Sequence, residues 1–120
     1  MPLNVRAAIA HAPNTPLEIE TVQLEGPGAD EVLIQIKATG LCHSDLNVIQ
    51  GQIPWEFPAL LGHEAAGVVV ECGKQVRHLH PGDHVIPFLI PKCGDCTYCH
   101  SHKTNLCMEF FKRMRPGSSH

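Results

Sequence analysis

Short runs along the chain alternate polar and apolar positions or are rich in β-branched residues. The runs "VRAAIA" (residues 5–10), "LEIETV" (17–22) and "EVLIQIKAT" (31–39) show period-two character or β-branched enrichment. "GVVVECG" (67–73) and "DHVIPFLI" (83–90) follow in the same manner. Successive strand side chains point to opposite faces, so runs of this kind predict β-strands. Turn chemistry separates them: "EGPGADE" at 25–31, "CGKQ" at 72–75 and "PGD" at 81–83. Strands at this spacing, with no long helical pattern between them, predict a mainly β domain, a small barrel or a sandwich. Two short helical pieces are expected. One is "HSDLNVIQG" after Cys42, capped by Ser44 or Asp45, and the other is a turn or two within "NLCMEFFKRMR" near the end.

Composition narrows the class. A chain of 120 residues, 43% hydrophobic and with a formal charge of −3, suits one globular domain with a modest core. It suits neither a disordered segment nor a polyanion binder, so no nucleic-acid partner is expected. The longest apolar runs fall far short of a membrane span, so no membrane partner is expected either. The N-terminus carries no long apolar signal region. The expected home is therefore the cytoplasm, where thiols stay reduced and closely spaced cysteines bind metal more often than each other.

Six cysteines occur, and four fall within residues 93–107 as Cys93-x2-Cys96-x2-Cys99-x7-Cys107. Two-residue spacers let the backbone curl so that successive thiolates point at one ion about 2.3 Å from each sulfur. Four thiolates suit Zn²⁺, which is soft enough for sulfur and content with a tetrahedron. Gly94 and Asp95 ease the first tight turn. Two rival readings stand beside this one. Two disulfides would use the same thiols, against the expected compartment. An iron–sulfur cluster shares the opening spacing, but its bacterial pattern wants the fourth cysteine three residues on and followed by proline. Here the gap is seven and Met108 follows. His100 and His102 read as solvated loop residues once four thiols complete the shell. A site filled wholly by protein is structural and leaves no position for a substrate.

A second constellation lies upstream. "GLCHSDLNV" brings Cys42, His43, Ser44 and Asp45; "LLGHEAAGVVV" brings His63 and Glu64. Each is weak alone, because a lone histidine is usually a surface or hydrogen-bonded residue and a lone cysteine is more often packed than reactive. Together they set a thiol and an imidazole beside carboxylates able to orient them. A catalytic zinc takes three protein ligands and keeps one position open, and Cys42 and His63 would be two of the three.

The order Cys-x-Ser-Asp, then Gly-His-Glu, then "PGDHVIP", then C-x2-C-x2-C-x7-C resembles the zinc-containing medium-chain alcohol dehydrogenases. The likeness runs from "VRAAIA" to Cys107. It implies a mainly β, GroES-like catalytic domain, a twisted and partly open β-barrel with a small structural-zinc lobe at 93–107, followed by a Rossmann domain for NAD(P). It implies structural zinc on Cys93, Cys96, Cys99 and Cys107, and catalytic-zinc ligands at Cys42 and His63. Ser44 matches the hydroxyl that takes the substrate alcohol's proton. Asp45 matches the carboxylate that orients the ligand histidine. Glu64 matches the acid beside that histidine, and His43 stands where the family places Arg or His against the cofactor pyrophosphate. The implied reaction is hydride transfer from a small alcohol to NAD, or alternatively NADP, giving an aldehyde or ketone. Zinc lends its charge at the reacting oxygen. A homo-oligomer is implied for the full-length form. Ile53, Trp55 and Leu89 resemble substrate-channel residues by position and read equally as packing residues.

Three departures qualify the likeness. Asn47 stands where many members carry a histidine that extends the proton relay, and Cys72 matches no zinc position and reads as a small packing residue. The third catalytic ligand and the glycine-rich phosphate turn implied by the family would lie past residue 120, and no G-x-G-x-x-G occurs in the chain. The expectation is an incomplete catalytic domain with unpaired strand edges, marginally stable and inactive alone, ending in a natural or an appended "PGSSH". The competing class is a zinc-stabilised interaction module without catalysis. Such a module has no use for Cys42, Ser44, Asp45, His63 and Glu64 at active-site spacing. A metal-free quinone reductase of the same superfamily conflicts with both constellations.

Overall fold

Alternation along the first two apolar runs produces a hairpin. Strand β1 (Leu3–Ala10) pairs antiparallel with β2 (Glu18–Leu24), from Leu3↔Leu24 to Ile9↔Glu18. On β1 the alternate residues Val5, Ala7 and Ile9 are half-buried, as the period-two pattern requires. The computed structural model describes residues 2–113. The chain divides into two compact units, Met1–Pro87 and Phe88–His120.

The first unit is mainly β and holds two three-stranded sheets. In one, β1 is flanked by β2 and by the two-residue strand β4 (Ala59–Leu60), which pairs Ile9↔Leu60 and Ala10↔Ala59. In the other, β5 (Ala65–Cys72) lies between β3 (Val32–Thr39) and β6 (His84–Val85). The β3–β5 register runs from Val32↔Cys72 to Thr39↔Ala65, with irregularities at Leu33/Ile34 and Ile36/Ala38 that bend the ladder. Helix α1 (His43–Ile49) lies between β3 and β4 in the chain; the Asn14 N–H ties down its end by donating to the Ile49 carbonyl at 2.7 Å. Ala10, Val48, Ala59 and Val69 are the buried apolar residues described in this unit. Beside them runs an open apolar groove of about 790 Å³, lined from both sheets by Val22, Leu24, Leu33, Ile36 and Leu60 among others.

Two local expectations fail here. The strand foreseen over residues 83–90 stops at Val85, and Ile86 and Phe88 are 80% and 74% exposed. Pro87 has no N–H to offer a ladder, so pairing with β5 cannot continue through it. The second failure is the cap of α1. Cys42 is the N-cap, with extended backbone and no side-chain capping bond, while Ser44 and Asp45 lie inside the first turn. Their side chains bond elsewhere, to Cys42 and His63.

The second unit is built from short turns. Helix α2 (Thr97–His100), a 3₁₀ turn (Thr104–Leu106) and helix α3 (Glu109–Arg113) follow one another. Among its described residues the fully buried side chain is Cys107, 1% exposed. The helical turns expected within 105–115 appear as α3; residues 114 and 115 lie outside the described residues. Among the described residues no helix is long and apolar enough to cross a membrane.

Candidate functional site

The end of the β3–β5 ladder assembles the first cluster. Thr39 stands opposite Ala65 in the register. Just beyond, the Gly40 N–H and the Thr39 hydroxyl both donate to the Glu64 carbonyl, at 3.0 and 2.7 Å. These bonds pin the segment before β5 against the turn that leads into α1. In consequence the Cys42 thiol, the His63 imidazole and the Glu64 carboxylate each offer a ligand atom, all within 4.8 Å of one another. Two neighbours prepare them. Asp45 Oδ1 lies 3.2 Å from His63 Nδ1. An ionised carboxylate only accepts, so Nδ1 carries the proton and Nε2 keeps its lone pair. The Ser44 hydroxyl donates to Cys42 Sγ at 3.1 Å.

Electrostatics follow from these contacts. The Ser44 hydroxyl, then the Ser44 N–H and His63, lower the Cys42 thiol below its ordinary range. Burial pulls His63 downward, but Cys42 and Asp45 together outweigh it, and the imidazole is raised. A thiol ready to lose its proton beside an imidazole held in one tautomer is a donor pair for a borderline-soft cation. His43 lies exposed in the same first turn of α1. Asn47 is half-buried, and its carbonyl accepts from the N–H groups of Gln52 and Ile53. Ile53 is exposed and Trp55 half-buried in the first unit; Leu89, exposed, belongs to the second.

The second cluster lies wholly in the second unit. Cys93, Cys96, Cys99 and Cys107 bring their Sγ atoms within 4.8 Å of one another, and all are free thiols. Gly94, at φ 77, takes the left-handed turn that L side chains rarely adopt. That turn aims the N–H groups of Asp95 and Cys96 at Cys93 Sγ, at 3.4 and 3.3 Å. The Cys93 N–H in turn points at Cys107 Sγ, at 3.4 Å. Cys93 and Cys99 sulfurs stand 3.9 Å apart, close to the edge of about 3.8 Å that a tetrahedron with metal–sulfur bonds near 2.3 Å requires.

Without a cation the four thiols cannot all ionise, and their pKa values spread. The Met108 and Cys99 N–H groups bring Cys96 down to about 6. At Cys99 the Gly94 N–H favours the thiolate, yet burial and the neighbouring cysteines push it up to about 11. A divalent ion removes this conflict, so the donor set fits zinc. His100 and His102 are exposed beside the cluster; His100 lies 3.9 Å from Asp95, and His102 sits at φ 61. Cys72 belongs to neither cluster: it is half-buried, and its thiol donates to the Leu79 carbonyl at 3.4 Å.

Sequence reasoning missed one further group. His11, Glu18 and Glu20 gather on the exposed β1–β2 hairpin, with His11 bonded to Glu20 and 4.0 Å from Glu18. The i, i+2 pair of glutamates was the available signal, but only the hairpin register brings His11 to the same face.

Comparison with known proteins gives concordant matches. The alcohol dehydrogenase GroES-like domain family matches residues 28–118. Alcohol dehydrogenase class-3 of Cereibacter sphaeroides is 55% identical over 106 residues, which are 88% of this chain and 28% of that protein. S-(hydroxymethyl)glutathione dehydrogenase of Paracoccus denitrificans is 52% identical over 106 residues, with the same 88% and 28% shares. The crystal structure of an alcohol dehydrogenase zinc-binding domain protein from Burkholderia ambifaria aligns at a TM-score of 0.89 and 40% identity, over 99% of this chain and 32% of that one. The chain thus spans less than a third of the length of these relatives.

Proposed function

Since the chain belongs to the alcohol dehydrogenase GroES-like domain family, we propose that it is the N-terminal, metal-bearing portion of a zinc-dependent dehydrogenase. That enzyme oxidises an alcohol to an aldehyde or ketone by hydride transfer to NAD(P). The observation that supports this most is the meeting of Cys42, His63 and Glu64 within 4.8 Å, with Asp45 engaging the other side of the imidazole.

In this reading Cys42 Sγ and His63 Nε2 would hold the catalytic zinc, with Glu64 as the third donor this chain itself supplies and a ligand from the longer protein taking its place in the whole enzyme. When bound, the ion supplies positive charge that draws an alcohol's pKa toward neutrality. Asp45 fixes the His63 ring and tautomer, so that Nε2 stays the ligating atom. The Ser44 hydroxyl donates to Cys42 Sγ in the metal-free chain; to relay the substrate proton it would turn its own hydrogen to water or the cofactor ribose as its oxygen takes the new one. Asn47 cannot pass that proton on as an imidazole would, and the path outward runs through water or the cofactor ribose. His43, exposed on the first turn of α1, would be free to meet the cofactor pyrophosphate, with NAD as first choice and NADP as the alternative. The four-cysteine lobe holds a second zinc, closed to substrate and structural.

The name of the Paracoccus denitrificans relative makes S-(hydroxymethyl)glutathione the first substrate to try for the longer enzyme. A reducing cytoplasm and a homo-oligomer belong to the same proposal. The test is complementation. The chain is co-produced with the remaining part of the Cereibacter sphaeroides enzyme, purified as a complex, and given zinc, NAD and S-(hydroxymethyl)glutathione. NADH formation that disappears in Cys42→Ser is expected, and none from the chain alone. A complex that assembles with both metals and stays silent would refute the reading.

A further inference from the structure

Gly40 is the residue through which β3 hands over to the turn carrying Cys42. Its N–H donates to the Glu64 carbonyl at 3.0 Å, which any residue but proline would also do. The informative contact is on the other side. A β-carbon built on Gly40 would overlap Glu64 Oε2, and would lie 3.2 Å from Glu64 Cβ and 3.3 Å from its carboxyl carbon. The Glu64 carboxylate therefore occupies the volume that a side chain at position 40 would take. That carboxylate is also the oxygen donor grouped with Cys42 and His63.

We propose that Gly40 is a positioning residue: its missing side chain opens the space through which the Glu64 carboxylate reaches the Cys42–His63 pair and completes a three-donor cluster. The proposal rests on the metal-centre reading above. The obstructing atom is the end of a flexible side chain rather than backbone, so the fold can absorb an alanine by turning Glu64 aside. The carboxylate then leaves the cluster while the strand and its hydrogen bonds stay.

The experiment is a double-mutant cycle read by metal binding. The full chain is loaded with one equivalent of zinc to fill the four-cysteine lobe and then titrated with Co²⁺. The near-ultraviolet band of a single thiolate–Co²⁺ bond follows the Cys42 site. Gly40→Ala is expected to weaken Co²⁺ at this site by about tenfold or more, in the range seen when metal-site supports are lost. Glu64→Ala is expected to weaken it comparably, and Gly40→Ala added to Glu64→Ala to change nothing further. Parent-like binding by Gly40→Ala, or additive losses in the double variant, would overturn the proposal. If Gly40→Ala unfolds, recovery of folding by Glu64→Ala supports the same steric conflict, and failure to recover overturns it. Absence of any single-thiolate band in the parent, with the lobe filled, is a separate result: it defeats the metal-centre reading itself and the proposal with it.

Discussion

Asp45 Oδ1 lies 3.2 Å from His63 Nδ1, although 18 residues separate the two in the chain. Nothing local to either residue brings them together. The first turn of α1 carries Asp45, and the β3–β5 ladder delivers His63 opposite it. Their contact holds one ring nitrogen in a fixed role and leaves the other for chemistry.

The metal-free chain should therefore show His63 titrating above the ordinary histidine value near 6.5. Burial opposes the rise, and Cys42 and Asp45 cause it. Asp45→Asn keeps the shape but removes the negative charge, so the His63 midpoint should move downward. A two-dimensional NMR titration of the imidazole resonances measures both values. An unchanged midpoint in Asp45→Asn would contradict the assigned cause. With zinc present, the same substitution should lower affinity at this centre about 10- to 100-fold, as loss of a ligand-orienting partner does.

Ser44 is expected to govern the reactivity of Cys42. Its hydroxyl is the foremost cause of the lowered thiol pKa, ahead of its own N–H and His63. A donor to sulfur favours the thiolate, so Ser44→Ala should shift the pH profile of Cys42 alkylation upward. Mass spectrometry of iodoacetamide-treated, metal-free protein resolves Cys42 from the other thiols. A profile that stays put, or moves down, counts against the hydrogen bond at 3.1 Å.

The lobe should hold one zinc ion per chain tightly, and Cys107→Ser should abolish it, since Cys107 is both a member of the cluster and the buried centre of its unit. Elemental analysis after dialysis checks the count, and iron with visible absorbance would contradict zinc. Cys96 at about 6 and Cys99 at about 11 also set the proton balance. At pH 7 Cys96 has already lost its proton while Cys99 keeps its own, so zinc uptake must release protons, and affinity must fall as pH falls. Titration in weak buffer with a pH indicator reads that release.

Gly73→Ala should destabilise the first unit. A β-carbon there would fall on the Gly28 carbonyl oxygen and lie 2.5 Å from that of Ala29, where backbone rather than a mobile side chain stands in the way. Overpacking of this kind costs about 1–3 kcal/mol. Among the described residues the buried apolar set of this unit is small, so the reserve against such a loss is small. A thermal midpoint lower by roughly 4–8 °C per kcal/mol is expected by calorimetry. A midpoint equal to that of the parent would contradict the close approach of these backbones.

Period-two character or β-branched enrichment foretold β1, β2, β3 and β5 nearly to their ends; burial alternates along β1 and β2, while β3 and β5 were marked by their β-branched runs. It could not foretell β4, whose two residues are too few to carry a period and form a strand only because β1 offers an edge. The apolar run at 83–90 misled, since Pro87 interrupts the ladder its neighbours would join. Ser44 and Asp45 misled as caps for a different reason: their side chains bond across space to Cys42 and His63 rather than to the helix's own N–H groups. The group of His11 with Glu18 and Glu20, assembled by strand pairing, was out of reach.

By itself the sequence determined the strand periods and the lobe's ligand spacing, because both are written in residues close along the chain. Cys93, Cys96 and Cys99 need only two-residue spacers and a glycine turn to point sulfur at one centre. Tertiary structure alone decided that Cys42 meets His63, that Asp45 holds the imidazole, and that Gly40 leaves room for Glu64. The physical reason is register: the spacing of these residues resembles that of a family site, but only the β3–β5 pairing, with Thr39 opposite Ala65, brings the adjoining His63 and Glu64 beside Cys42.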